Sequence, residues 1–285
     1  MRVEIDHLHF GYESSEKEIL RGVSLNIKEN SKFALMGKNG SGKTTLLRLA
    51  AGSLQPDGGE VFLRGEDGQK IQPAPHLIGF APEKPEEYFF ARTVREEVEF
   101  YPKNLNLDFQ KQAERAMEKV GISHLRDRSP FSLSAGEGRL VSLASVLAGD
   151  PQVLVLDEPS RGLHRRGEEE VGEIIEQSDR TVIFSTHSSQ LAYRFAEKVA
   201  FLKSGQVIRQ GEAQKTLTDE ELLQGFGLRV PGIVKWWQEN RALLPEQEEG
   251  PPSEADQLAS LLKEELGKGT VSWSDLCSRG TEGRR

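Results

Sequence analysis

One run of residues constrains this chain more than any other: Gly37-Lys38-Asn39-Gly40-Ser41-Gly42-Lys43-Thr44. It fits the spacing G-x-x-x-x-G-K-[ST]. Its glycines let the backbone turn tightly, so that successive N–H groups point into one concavity. Before it stands Lys32–Met36, a short apolar strand candidate, and after it residues 45–51 read as a helix. A helix starting there aims its positive end at the same concavity. The arrangement is that of a phosphate cradle. Lys43 can reach the outer phosphates, and the Thr44 hydroxyl can ligate Mg²⁺. An ordinary glycine-rich loop is the plainer alternative, but it does not require a strand on one side and a helix on the other.

A second constellation lies downstream. Val153–Leu156 is a short apolar run that ends in Asp157-Glu158. Charges at the end of a buried strand are costly unless a cation or a hydrogen bond meets them. Beside a phosphate cradle, the first acid suits the Mg²⁺ shell and the second suits polarising an attacking water. Taken alone, the pair would also fit a strand that ends at a solvated turn.

The rest of the chain sets this pair in context. Short alternating runs fill the first 30 residues, and Glu60 to Arg64 reads as a further strand. Residues 93–149 carry helical patterns. Thr181–Ser185 is another apolar run, and Lys203-Ser204-Gly205 suggests a hairpin. Strand–turn–helix alternation predicts an α/β core around a mostly parallel sheet. A reading change near residue 217 marks a C-terminal extension, with an acidic linker at 246–256 and a candidate amphipathic helix at 254–267.

Composition excludes several occupations. With 285 residues, a core can form without metal or disulfide staples. Lys and Arg number 37 against 45 Asp and Glu, a net charge of −8. Phosphate-backbone binding needs clustered cations, so no nucleic-acid partner is expected. The single cysteine, Cys277, allows no internal disulfide and fits a reducing compartment. The N-terminus carries no pattern of a secretory signal. No apolar run approaches the roughly 20 residues of a spanning helix.

Leu133-Ser134-Ala135-Gly136-Glu137, just ahead of the carboxylate strand, resembles the L-S-G-G-Q signature of ATP-binding-cassette (ABC) ATPases. The order of phosphate loop, signature, carboxylate strand and then His187 is similar too. The resemblance covers about residues 1–216. It implies a P-loop ABC ATPase core: a RecA-like parallel sheet, an antiparallel β subdomain and a helical subdomain at about 84–150. Residues 217–285 would then form an extension used in dimerisation. It implies ATP binding at Gly37, Lys38, Asn39, Gly40, Ser41, Gly42, Lys43, Thr44 and Thr45, with Tyr12 stacked on adenine. Glu158, His187 and Glu83 would be catalytic, and Thr44, Asp157 and Glu83 would hold Mg²⁺. Family members pair head to tail, so Ser134, Ala135, Gly136 and Glu137 would contact the ATP of a second ABC subunit. Ser134 also suits a plain helix cap, and a lone histidine after a strand is often structural.

A narrower resemblance is carried by Pro85 to Val94, by Phe100 to Leu105 and by Leu228 to Val234. These segments look like energy-coupling-factor ATPases. Such subunits power membrane importers of cobalt or nickel ions or vitamins. That implies polytopic membrane partners, and a peripheral position on the cytoplasmic face. Glu86 and Glu87 would meet basic residues of the membrane partner, or simply be solvated. Trp236-Trp237 suits a partner tail or a local core equally.

Three positions depart from the family pattern. Glu83 replaces the Q-loop glutamine, Glu137 the signature glutamine, and His164 the D-loop aspartate. Glu83 adds negative charge near the phosphates but can still ligate a hard cation. The other two are contributed to the partner's ATP site, so the site completed by this signature is expected to be the weaker one. An ATPase of another ABC transporter, or a regulatory subunit with weak hydrolysis, is the alternative reading.

Overall fold

The computed structural model describes residues 1–13, 17–65, 67–240, 251, 252 and 257. In chain order the elements are β1 (Arg2–Gly11), β2 (Glu18–Ile27), β3 (Lys32–Met36), α1 (Lys43–Ala50), β4 (Gly58–Arg64), β5 (Lys70–Ile71) and β6 (Ile78–Ala81). Three helices follow: α2 (Val94–Asn104), α3 (Phe109–Lys119) and α4 (Ala135–Ala148). Next come β7 (Val153–Leu156), α5 (Arg165–Glu176), β8 (Thr181–Ser185), α6 (Ser189–Phe195), β9 (Lys198–Lys203), β10 (Gln206–Glu212) and α7 (Ala213–Thr216). Last are α8 (Glu220–Gly225) and α9 (Gly232–Asn240). The chain divides into two compact units, Met1–Ala213 and Gln214–Arg285.

Two sheets organise the first unit. Four antiparallel strands run β2-β1-β4-β5, and six run β10-β9-β3-β8-β7-β6. In the larger sheet β9, β3, β8, β7 and β6 are parallel, and β10 closes one edge as the antiparallel arm of a hairpin. β3, β7 and β8 are buried along their whole length, which explains their unbroken apolar runs. Leu46, Leu47 and Leu49 of α1, each 1% exposed, share one core cluster with Val3 and Leu63 of the small sheet and Leu35 and Val155 of the large one. Burying three leucines supplies about 5–8 kcal/mol before the entropy of ordering is counted. That core fixes α1, and so the loop before it, against both sheets.

The helical stretch is three helices in mutual contact. Thr93 and Glu96 form a reciprocal cap on α2. Glu97 is buried at 8% exposure and accepts from the N–H groups of Phe90 (3.1 Å) and Ala91 (2.9 Å). Its carboxylate thereby anchors the loop ahead of α2. Helix α4 also lies on β6, where Gly79 permits the approach: a Cβ there would come within 2.3 Å of Val146.

In the second unit, α9 buries Val234 and Trp237. The acidic linker and the candidate helix at 254–267 lie outside the described residues, apart from 251, 252 and 257. The helix after the glycine loop begins at Lys43, two residues earlier than the apolar pattern suggests, because its first turn faces the loop and carries polar residues.

Candidate functional site

The C-terminal ends of three neighbouring parallel strands, β3, β8 and β7, meet at one edge of the large sheet. β3 runs into the loop 37–42. Gly42 adopts φ +105°, and a Cβ there would stand 2.9 Å from Leu20 Cδ2, so a side chain is excluded both by conformation and by space. No side chain caps α1 at Gly42, which leaves its first N–H groups directed at the loop. Lys38, Asn39 and Gly40 form an exposed crest, whereas Ser41, Lys43 and Thr45 are buried. The Lys43 Nζ curls back to donate to the Gly37 carbonyl at 2.8 Å. Burial lowers its pKa, and Glu158 and Asp157 oppose that effect.

Asp157 and Glu158 leave β7 at 2% and 6% exposure. Asp157 extends the pairing with β6 by one bond, from its N–H to the Ala81 carbonyl (2.8 Å). Glu158 sits at φ +50°, an uncommon conformation for a side chain of this size. Ser185, the last residue of β8, supports the turn: its Oγ accepts from the Glu158 N–H (2.9 Å) and donates to Asp157 Oδ1 (2.5 Å). His187 follows two residues later. Its Nε2 lies 3.2 Å from Lys43 Nζ and 3.1 Å from Glu158 Oε1. Burial, then the neighbouring Lys43 charge, lowers the His187 pKa. Burial pushes the Glu158 carboxyl up to about 7, and Lys43 only partly offsets it.

Two buried oxygens around this crevice have neither a hydrogen bond nor an ion pair, Ser41 Oγ and Asp157 Oδ2, while Glu158 Oε1 makes no hydrogen bond and faces His187 Nε2. Unmatched buried oxygens are costly. Here they surround an uncapped helix start and one ammonium group. This donor and acceptor set fits a metal-chelated polyphosphate: N–H groups and Lys43 for the anion, Asp157 Oδ2 for a hard cation.

Comparison with known proteins agrees. The sequence profile of the ABC transporter family matches residues 20–161. An energy-coupling factor transporter ATP-binding protein EcfA from Methanoculleus marisnigri is 35% identical over 241 residues, covering 81% of this chain and 86% of that protein. This chain belongs to the ABC transporter family, among the energy-coupling-factor ATP-binding proteins. Two structures reinforce the assignment. CbiO1 of Clostridium perfringens, described as part of the ABC transporter complex cbiONQ, is 28% identical with a TM-score of 0.66, over 80% of this chain and 95% of that one. A dimeric ATP-binding cassette bound to ADP and Pi in a post-hydrolysis state is 25% identical with a TM-score of 0.66, over 74% of this chain and 98% of that one. The chain is thus an ATPase of the ABC type.

Within this ABC ATPase the remaining candidate residues divide into two groups. Tyr12 stands beside the loop, with its hydroxyl 3.3 Å from Thr45 Oγ1 and its ring edge-on to Phe10. Glu83, two residues past β6, forms an ion pair with Arg161. Both belong to the crevice side. The signature residues are placed separately, at the start of α4. There Ser134 caps the helix, and Glu137 reaches back: its Oε2 accepts from the Ser134 N–H and from the Ser134 hydroxyl, both at 2.8 Å. Arg128 donates to the other oxygen at 3.1 Å. The backbone bond from Ser134 is the largest influence lowering the Glu137 pKa. Ala135 and Gly136 fill the first helical turn, and a Cβ on Gly136 would meet Leu163 at 2.9 Å. His164 caps α5 by accepting the Gly167 N–H at Nδ1 (3.0 Å).

Two residues of the ABC ATPase site escape sequence reasoning. Ser185 is a polar residue closing an apolar strand, and its only signal is that a buried hydroxyl needs a partner. Arg161 pairs with an acid 78 positions away, and no local pattern reveals that.

Proposed function

We propose that this chain is the ATP-hydrolysing subunit of an energy-coupling-factor importer. The observation that carries the reading is the crevice itself. It gathers an uncapped helix start, Lys43, the unpartnered buried oxygens of Ser41 and Asp157, and a carboxyl with a pKa near neutrality. The energy-coupling-factor relatives supply the transport context.

In this reading the backbone of loop 37–42 and the first turn of α1 grip the phosphates, and Lys43 releases Gly37 to meet them. Tyr12 lies beside the base. Thr44 and Asp157 hold Mg²⁺, which when bound neutralises phosphate charge. Glu158 takes the proton of the attacking water, a task suited to a carboxyl that titrates near 7. His187, kept neutral by burial and Lys43, senses the terminal phosphate. Ser134 and the backbone of Gly136 act on the nucleotide of a second ABC subunit, so that ATP joins the two subunits and hydrolysis parts them. Polytopic membrane subunits follow that motion. The chain sits peripherally on the cytoplasmic face, and among the described residues no helix is long and apolar enough to cross a membrane. Cobalt or nickel ions and vitamins are the candidate cargo. Glu86 and Glu87 are exposed, as a contact with a basic partner helix requires.

The test is ATP turnover and cargo uptake by the reconstituted complex, with Lys43→Ala and Glu158→Gln. Loss of Mg-ATP binding in the first and of turnover in the second is expected. A wild-type chain that fails to bind Mg-ATP overturns the reading.

One observation favours a second reading, a subunit with weak hydrolysis at the site it completes. The Ser134 hydroxyl and N–H are both engaged by the Glu137 carboxylate. Steady-state turnover with each subunit's glutamate replaced in turn separates the two readings.

A further inference from the structure

Glu83 and Arg161 extend a feature of the sheet. β6 and β7 pair in parallel up to Ala81 and Leu156, and one more bond joins the Asp157 N–H to the Ala81 carbonyl. Beyond that bond the chains diverge, one toward the helical stretch and the other toward α5. The Glu83–Arg161 ion pair rejoins them just past the strand ends. A turn sets Arg161 in place, with its N–H donating to the Glu158 carbonyl at 3.1 Å. The two side chains are 29% and 49% exposed, and pairs this open add little to stability.

Their charges matter more for what lies beside them. Both Glu83 and Arg161 act electrostatically on Lys43, Glu158 and His187, the three groups lining the phosphate crevice. Without Arg161, Glu83 would present an uncompensated carboxylate there, facing an incoming polyanion. With Arg161, the pair is neutral.

We propose that Arg161 is a positioning residue that acts through Glu83: it holds that carboxylate in an ion pair and cancels its charge, so that the crevice admits an anionic nucleotide. Arg161 does not itself contact phosphate. The inference rests on the nucleotide-binding reading above.

A double-mutant cycle on the full chain tests it, with Mg-ATP affinity measured by equilibrium titration at low salt and melting temperature recorded for every variant. Arg161→Ala should weaken Mg-ATP binding by about tenfold, the order expected of one unpaired charge at the border of a polyanion site at low salt. The Glu83→Gln/Arg161→Ala double variant carries neither charge, so its crevice is neutral again and its affinity should return to within about threefold of wild type. Arg161→Lys keeps the charge and should recover most of the affinity; it also serves as the variant least disturbing to the fold. The difference should shrink as salt is raised. A double variant that stays as weak as Arg161→Ala would overturn the proposal, because Arg161 would then act on nucleotide or on the fold directly. So would an Arg161→Ala chain that binds like wild type, or an Arg161→Lys chain as weak as Arg161→Ala. A wild-type chain that binds no Mg-ATP would instead reject the functional reading, and the proposal with it.

Discussion

Lys43 Nζ and Glu158 Oε1 approach the same atom, Nε2 of His187, from 3.2 Å and 3.1 Å. An ammonium group can only donate, so the ring nitrogen facing it carries a lone pair, which Glu158 can meet favourably only as the protonated acid. Burial and Lys43 both favour that neutral ring. The His187 imidazole should therefore titrate below the ordinary value of 6.5. Histidine-labelled NMR, with His187→Gln to assign the signal, checks this. A ring that protonates at or above 6.5 contradicts the geometry. Because the unfolded chain takes up that proton below 6.5 and the folded chain resists it, this contact weakens the fold as pH falls.

Glu158 has the opposite dependence. In the unfolded chain its carboxyl releases a proton near 4.5, whereas burial delays release in the folded chain to about 7. Between those values the folded state holds the extra proton, so raising pH across the window costs the wild-type chain stability. Glu158→Gln removes that dependence. Its stability advantage over wild type should grow by roughly 3 kcal/mol from pH 4.5 to 7 and then level off. Denaturant unfolding at a series of pH values reads it out.

Ser185→Ala should cost about 1–3 kcal/mol, because it strands the Glu158 N–H and Asp157 Oδ1 in a buried turn. Ser185→Thr restores the hydroxyl and should recover part of that loss. Turnover should fall more than stability alone explains, since the turn sets the direction of Glu158. Thermal melts beside turnover assays separate the two effects, and an Ala variant as stable as wild type would refute the bridging role.

How far the sequence discloses all this depends on range. The loop 37–44 is legible because its chemistry demands fixed spacing within one turn. β7 and β8 are legible because burial on both faces leaves an unbroken apolar run. β6 is harder to read: it has four residues, one of them Gly79, whose role is to let α4 approach. Glu97 lies among acids that suggest a solvated helix face, yet it is buried against two N–H groups. The Glu83–Arg161 pair depends on two loops brought together by the sheet, so only tertiary structure reveals it.

The reciprocal cap on α4 predicts a gain from a loss. Replacing Glu137 with Gln removes a negative charge from the helix start and weakens the hold on the Ser134 hydroxyl. The chain should lose about 0.5–1 kcal/mol of stability, while ATP-driven association of two subunits should tighten several-fold. Analytical ultracentrifugation of the hydrolysis-deficient Glu158→Gln background, with and without Glu137→Gln, measures it. Unchanged or weaker association would mean that the carboxylate does not compete with phosphate.

Between the strand that delivers Lys43 and the one that delivers Asp157 stands β8. Backbone hydrogen bonds space neighbouring strands by about 4.8 Å, so the strand ends that carry the phosphate loop and the acids stand about 10 Å apart. That gauge belongs to the peptide ladder, and no outer loop can reset it. The periphery is therefore free to diversify toward new companions, while the frame that sets loop and acids opposite one another passes on unaltered.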